Sequence, residues 1–208
     1  VSEGIPRAVE AAVAGLGLIV ASPVIVLAGL LVRVTSAGPA FFRQQRIGRA
    51  GRPFTLYKLR TMRVSGDGPL VTARGDARVT ELGRFLRRSK LDELPQLWNV
   101  VKGNMSLVGP RPEVPRYVEP EDPAWRRVLA VRPGITDPVT LELRDEESVL
   151  AAVPGDPERF YREQLLPAKL RSYADYLDRR SAWSDVGVLY KTALALLVPR
   201  SRRSLLPH

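Results

Sequence analysis

The chain has no cysteine, and its single histidine, His208, is the last residue. Disulfide scaffolds, cysteine-based zinc sites, thiol nucleophiles and a buried imidazole base are thereby excluded. A cysteine-free chain also fits a reducing compartment. Acid is missing over a long stretch. Between Ala11 and Gly66 there is no Asp or Glu, yet Arg33, Arg43, Arg46, Arg49, Arg52, Lys58, Arg60 and Arg63 fall there. Over 208 residues, 32 Lys and Arg against 22 Asp and Glu leave a formal charge of +10. That excess implies an anionic partner: nucleic acid, nucleotide, phospholipid headgroup or several of these. A hydrophobic share of 45% argues against disorder, and the length suits one ordinary domain with attachments. The chain opens at Val1 without a methionine, which leaves room for residues upstream.

Charge is absent from Ala11 to Val32, where twenty-two residues are almost wholly apolar. As a helix this run is about 33 Å long, enough for a hydrocarbon core of roughly 30 Å. A cleaved secretory signal fits less well, because the run is long and leads into a basic region. Its middle is Ser22-Pro23. Proline removes one helical hydrogen bond, so a kink is expected, and the serine hydroxyl can satisfy the freed carbonyl. Arg7 and Arg33 make both flanks positive, and cationic flanks favour the cytoplasmic side. A helix broken at Ser22-Pro23 could enter and leave on one face. On these residues alone an ordinary kinked span is the simpler reading, since proline is common in such helices. A second apolar run, Val186 to Val198, is too short to span and is followed by Arg200, Arg202 and Arg203. It reads as an interfacial helix with basic anchors, or else as a core helix.

Three zones result: an apolar helix over 1–34, a basic Gly- and Pro-rich part over 35–155, and a helical tail over 156–208. Phe54 to Tyr57 alternates like a strand, and Gly48 to Arg52 reads as a basic hairpin turn that matches no phosphate-loop fingerprint. Thr80 to Leu91 reads as an amphipathic helix and Leu94 to Val101 as a second one. Ile135 to Leu143 reads as extended. Pro157 to Arg180 reads as a long polar helix, with a kink or break at Pro167.

The candidates for catalysis are Asp92 and Glu93, adjacent carboxylates at the start of the second helix. Arg84, Arg87, Arg88 and Lys90 directly precede them. Acids at a helix N-terminus also serve as caps, which explains one carboxylate better than two in a cationic field. A carboxylate can attack phosphorus to give an acyl phosphate, and a divalent cation would offset the repulsion. In Gly109-Pro110-Arg111-Pro112, prolines on both sides of Arg111 fix the backbone, which suits a rigid phosphate fork; a stiff turn with a solvated arginine is the plainer alternative. Arg132-Pro133-Gly134 repeats the pattern of an arginine held by proline. No helix-turn-helix, zinc or aromatic-basic RNA motif is present, so nucleic acid is not the expected partner.

Together, Phe41 to Gly48, Phe54 to Met62, Arg87 to Val100, Gly103 to Glu113 and Arg132 to Thr136 resemble the bacterial sugar transferases, the small monotopic phosphoglycosyl transferases. The longest blocks are Asp92-Glu93-Leu94-Pro95-Gln96-Leu97-Trp98-Asn99 and Ser106-Leu107-Val108-Gly109-Pro110-Arg111-Pro112. The resemblance implies transfer of a sugar 1-phosphate from a UDP-sugar to a polyprenol phosphate, usually undecaprenyl phosphate, with release of UMP. This is the first membrane step of exopolysaccharide, capsule, O-antigen, lipopolysaccharide or glycan assembly. It implies Mg2+ and a covalent phosphosugar-aspartate intermediate in a ping-pong mechanism. Asp92 matches the nucleophile, and Glu93 matches its partner, both tied to the metal. Lys58, Arg87, Arg111 and Arg144 match basic contacts to substrate, and Arg132 is expected beside them. Ser22-Pro23 matches the break of a re-entrant helix, which turns the topology expectation to a same-face hairpin.

The expected fold is α-rich α+β: a re-entrant N-terminal membrane helix, a small catalytic core with short β elements, and interfacial C-terminal helices. The expected setting is the bacterial inner membrane with the site on the cytoplasmic face, in contact with membrane lipid, and a homodimer is compatible with it. Many members continue Gly-Ile-Thr with Gly and a Gln-containing strand. Here Asp137-Pro138-Val139-Thr140 and Asp145-Glu146-Glu147 follow instead, a departure expected to shape sugar or base recognition. The competing reading is a non-enzymatic basic module that binds membranes or nucleic acid, which leaves the acidic pair unexplained.

Overall fold

The computed structural model describes residues 4–63, 72, 75–143 and 146–197. It is rich in helix, with two short two-stranded sheets. Helix α1 (Arg7–Thr35) takes up the apolar run as one continuous helix through Ser22-Pro23. Pro23 cannot donate to Ile19 O four residues back, and the Ser22 hydroxyl donates to that carbonyl instead, at 2.8 Å. The expected break is thus a repaired turn, not an interruption.

One stripe of α1 is buried (Ala14, Ile25, Ala28, Val32), while the opposite stripe is apolar and exposed (Val9, Val13, Leu16, Val20, Val24, Leu27, Leu31, Val34). A water-facing helix would carry polar residues there. Both ends of α1 rest on the same globular body. At the N-terminal end Glu10 accepts from Leu107 N–H at 3.0 Å, and Arg7 donates to Val101 O at 3.0 Å. Ile5 N–H donates to Asp185 at 3.4 Å, and Asp185 pairs with Arg180, which also donates to Val108 O at 2.9 Å. At the C-terminal end the buried Arg60 donates to the carbonyls of Ser36, at 2.8 Å, and Ala37. A cation there binds carbonyls just past the helix end, lies 3.4 Å from Val32 O of its last turn, and complements the negative end of the helix dipole.

Strands β1 (Phe41–Ile47) and β2 (Pro53–Leu59) form an antiparallel hairpin closed by the expected turn, in which Ala50 and Gly51 take positive φ (57° and 71°). Helix α2 (Glu81–Ser89) is capped by the Thr80 hydroxyl, which accepts from Gly83 N–H at 2.9 Å. Gly83 has no alternative: a Cβ there would lie 2.0 Å from Thr61 O, so the helix sits directly on the end of β2. Helix α3 (Gln96–Val101) follows, then β3 (Ser106–Val108), α4 (Pro123–Leu129) and β4 (Gly134–Thr136), with β3 and β4 parallel.

The extended reading of Ile135 to Leu143 needs correcting. Extension ends at Thr136, and α5 (Pro138–Glu142) begins, because Asp137 caps it by accepting from Thr140 N–H at 2.7 Å and Pro138 suits a first turn. Helix α6 (Glu146–Ala151) precedes α7 (Pro157–Phe160) and α8 (Leu166–Asp178). A π-turn over Tyr161–Leu165 joins the last two and marks the break expected at Pro167. Helix α9 (Ala182–Leu197) completes the described chain.

Three apolar clusters hold these elements. Val114, Tyr117, Trp125 and Leu150 pack with Leu166, Leu170 and Tyr173 of α8. Ala14 of α1 packs with Phe54, Leu56, Val100, Met105 and Val188 of α9. Ile25, Ala28 and Val32 pack with Leu59 and Leu86. The tail helices therefore share in two of the three clusters. Outward, α9 presents Trp183, Val186, Tyr190 and Leu194, an exposed apolar stripe at helical spacing.

Candidate active site

Helix α2 ends at Lys90, whose φ of 59° turns the chain back on itself. The next turn, Leu91–Glu93, carries Asp92 and Glu93 inward, where they are only 5% and 9% exposed. Two adjacent carboxylates this deep need cations or protons.

Glu93 is surrounded. Arg111 donates to it at 2.7 and 3.4 Å, the Lys58 ammonium at 3.1 Å, and Lys90 lies 3.7 Å away. Burial alone would raise its pKa, but Arg111, then Lys58 and Lys90, outweigh burial and hold Glu93 well below the carboxylate range. Asp92 differs. One of its oxygens is buried without any hydrogen-bond partner. Burial pushes this carboxyl upward against the pull of Lys58, and the charge of Glu93 pushes the same way. The pair titrates as a unit in which Glu93 is the fixed anion and Asp92 the more basic member. Gln96, one turn on, also keeps an unpartnered buried Nε2. Burial lowers Lys58 to about 8 against the opposing charge of Glu93.

Arg111 is aimed by its loop. Ile47 N–H donates to Glu113 O at 2.9 Å, Arg46 donates to Pro112 O at 3.0 Å, and Gly109 N–H donates to Thr136 O at 3.0 Å. Gly109 packs so closely that a Cβ would lie 2.6 Å from Arg132 O. Glu113 also accepts from the Tyr161 hydroxyl, which the Lys169 ammonium approaches at 3.3 Å.

Of the expected contacts, Lys58 and Arg111 meet on Glu93. Arg87 joins the cluster's rim: its Nε donates to the Thr61 hydroxyl at 2.9 Å, and its charge acts on Asp92. Its other arm pairs with Glu147 at 2.7 Å, which brings the Asp137-to-Glu147 departure to the edge of the site. Arg132 is not brought to the dyad. Its Nε donates at 3.1 Å to the carbonyl of Gly103, just past the far end of α3. Arg144 lies outside the described residues. Lys90 and Thr61 are further members. Lys90 stands one residue from the pair's turn, and its place in the same cationic run was the available signal; Thr61 gave none.

Among the described residues no group of three His, Asp or Glu side chains gathers to hold a metal. Mg2+ does not require one, since it commonly takes one or two carboxylates and completes its shell with phosphate oxygens and water. The unpartnered Asp92 oxygen fits that donor set, whereas both Glu93 oxygens are engaged by cations. The cluster as a whole can bind a diphosphate and present one basic carboxylate to it.

A family model described as bacterial sugar transferase matches residues 1–199. The chain is 38% identical over 196 residues to a UDP-glucose:undecaprenyl-phosphate glucose-1-phosphate transferase of Caulobacter vibrioides, covering 92% of this chain and 69% of that protein. It is 32% identical to a UDP-N-acetylgalactosamine-undecaprenyl-phosphate N-acetylgalactosaminephosphotransferase of Aeromonas hydrophila, over 93% of this chain and 44% of that one. It is 35% identical to an undecaprenyl-phosphate galactose phosphotransferase of Salmonella typhimurium, over 86% and 38%. The chain thus spans less than half the length of the latter two.

Proposed function

The chain belongs to the bacterial sugar transferase family, and we propose that it transfers a sugar 1-phosphate from a UDP-sugar to a polyprenol phosphate, with UMP as the other product. The observation that carries this reading is the asymmetry of the dyad. Glu93 is neutralised by Arg111, Lys58 and Lys90, while Asp92 keeps a buried, unpartnered oxygen among the same cations. A basic binding module has no need of an acidic pair held among its cations, and a buried carboxylate oxygen left open beside them suits attack on a bound phosphate.

In the first half-reaction the Asp92 carboxylate attacks the phosphorus that bears the sugar. The bond from that phosphorus to the bridging oxygen breaks, and UMP departs with the electron pair. In the second, a phosphate oxygen of the polyprenol phosphate attacks the same phosphorus, and the Asp92 carboxylate leaves. Arg111, Lys58 and Arg87 draw the diphosphate in and stabilise charge on its oxygens. Glu93 holds the Arg111 fork and the Lys58 ammonium in place. Asp92 would hold Mg2+ through its open oxygen, whereas Glu93, expected as a second ligand, is taken up by Arg111, Lys58 and Lys90; the ion when bound would offset the charge between carboxylate and diphosphate.

Membrane placement follows from α1. A globular body that grips both helix ends favours entry and exit on one face, and the exposed apolar stripe then meets lipid. The apolar face of α9 suits the same interface. The positive flanks Arg7 and Arg33 support the cytoplasmic side of the inner membrane for this face. Three relatives named for three sugars leave the donor to measurement. Mixing the protein in nanodiscs with UDP-glucose, UDP-galactose and N-acetylated UDP-sugars should release UMP with at least one of them, dependent on Asp92. No release across the panel would reject the reading.

A further inference from the structure

Resting on the transfer reading above, we infer that Phe42 receives the first isoprenyl units of the lipid acceptor and so places its phosphate before Asp92. In the β1–β2 register Phe42 lies directly opposite Lys58. Directly opposed residues of an antiparallel pair project from one face, with their Cβ atoms about 5 Å apart. Lys58 uses that face to reach Glu93 at 3.1 Å. Further along it, Gln44 accepts from Arg46, and Leu56 and Phe54 enter the core. The face thus runs from packed side chains, past a cation of the active site, to an open ring: Phe42 is 44% exposed.

The location selects the occupant. Strand β1 starts where the chain leaves α1, and the two meet closely, since a Cβ on Gly29 would touch Ala40 at 3.6 Å. The neighbouring end of α1 exposes Leu30, Leu31 and Val34. Phe42 therefore lies opposite Lys58 and two residues from Ala40, where the strand meets the lipid-facing end of the helix. A lipid phosphate needs this arrangement, because its reacting phosphate is joined directly to an apolar chain. Cations must meet the phosphate and an apolar surface must lie within one or two isoprene units of them. The nucleotide donor is water-soluble and makes no demand for a ring on the membrane side.

The two half-reactions separate this role from others. We would compare wild type, Phe42→Ala and Phe42→Leu in nanodiscs. Without acceptor, the amplitude and rate of the UMP burst from the UDP-sugar would be read. With acceptor, KM and kcat for undecaprenyl phosphate would be read. Phe42→Ala should raise the acceptor KM on the order of tenfold, as expected for an apolar contact of this size, while the burst stays within about twofold. Phe42→Leu should recover most of the affinity. A burst that falls in step with turnover would overturn the inference by assigning Phe42 to the donor or to the fold. An unchanged acceptor KM would overturn it, and so would loss of membrane partitioning by Phe42→Ala, which would make the ring a general lipid anchor. Absence of any burst from the wild type would instead reject the two-step, covalent form of the transfer on which this comparison rests.

Discussion

Removing Arg111 should destabilise the protein chiefly through what it leaves behind. Glu93 is 9% exposed and takes its shortest contact, 2.7 Å, from Arg111. Breaking one side of a buried ion pair typically costs about 3–5 kcal/mol, because the remaining charge stays buried without compensation. Here Lys58 at 3.1 Å and Lys90 at 3.7 Å still face Glu93, and Arg111 is itself partly open to solvent. The cost of Arg111→Ala should therefore fall to about 2–3 kcal/mol. For a chain of this size that is a drop of roughly 4–12 °C in midpoint. Glu93→Gln should also destabilise, since three cations then repel one another. The double variant should be more stable than the two single losses add up to, by about 1–2 kcal/mol, because neither charge is left alone. Thermal unfolding in one detergent, followed by intrinsic fluorescence of the four proteins, measures the cycle. Strict additivity would refute the reasoning, since the two groups would then not act as a buried pair.

Two further outcomes concern pH and topology. Lys58 is lowered to about 8, so it loses its charge as pH rises through that value. kcat/KM for the donor should accordingly fall as pH rises above about 8, and Lys58→Arg should remove that alkaline limb; a limb that persists in Lys58→Arg would assign it elsewhere. Cysteines placed at Ser2 and Ser36 should both resist an impermeant thiol reagent in intact cells, and Pro23→Leu, which restores a helical donor to Ile19 O, should shift α1 toward spanning; labelling at only one of the two sites in the parent protein would mean that α1 already spans.

Much of the site was legible because its residues are close in sequence or rare in kind. Without cysteine or a usable histidine, Asp92 and Glu93 were the remaining nucleophile candidates, and Lys58 and Arg111 stood out by charge and by flanking prolines. The division of roles between the carboxylates was not legible. It depends on Lys90 turning the chain and on Arg111, eighteen residues on, choosing Glu93 over Asp92. Arg132 looked like Arg111 in its Arg-Pro setting, yet its side chain serves the Gly103 carbonyl, a choice made by packing. The start of α5 was readable in hindsight, since Asp137-Pro138-Val139-Thr140 is a capping sequence; the preceding apolar strand obscured it. The grip on the N-terminal end of α1 was not readable, because Ile5 and Asp185 are 180 positions apart.

The most direct test of the central claim is the mass of the intact protein after mixing with a UDP-sugar and Mg2+ in the absence of lipid acceptor. Wild type should gain the mass of one sugar phosphate, with one equivalent of UMP released, and both should disappear in a folded Asp92→Asn protein. UMP formed only when polyprenol phosphate is present, with no adduct on the wild type, would contradict a covalent role for Asp92.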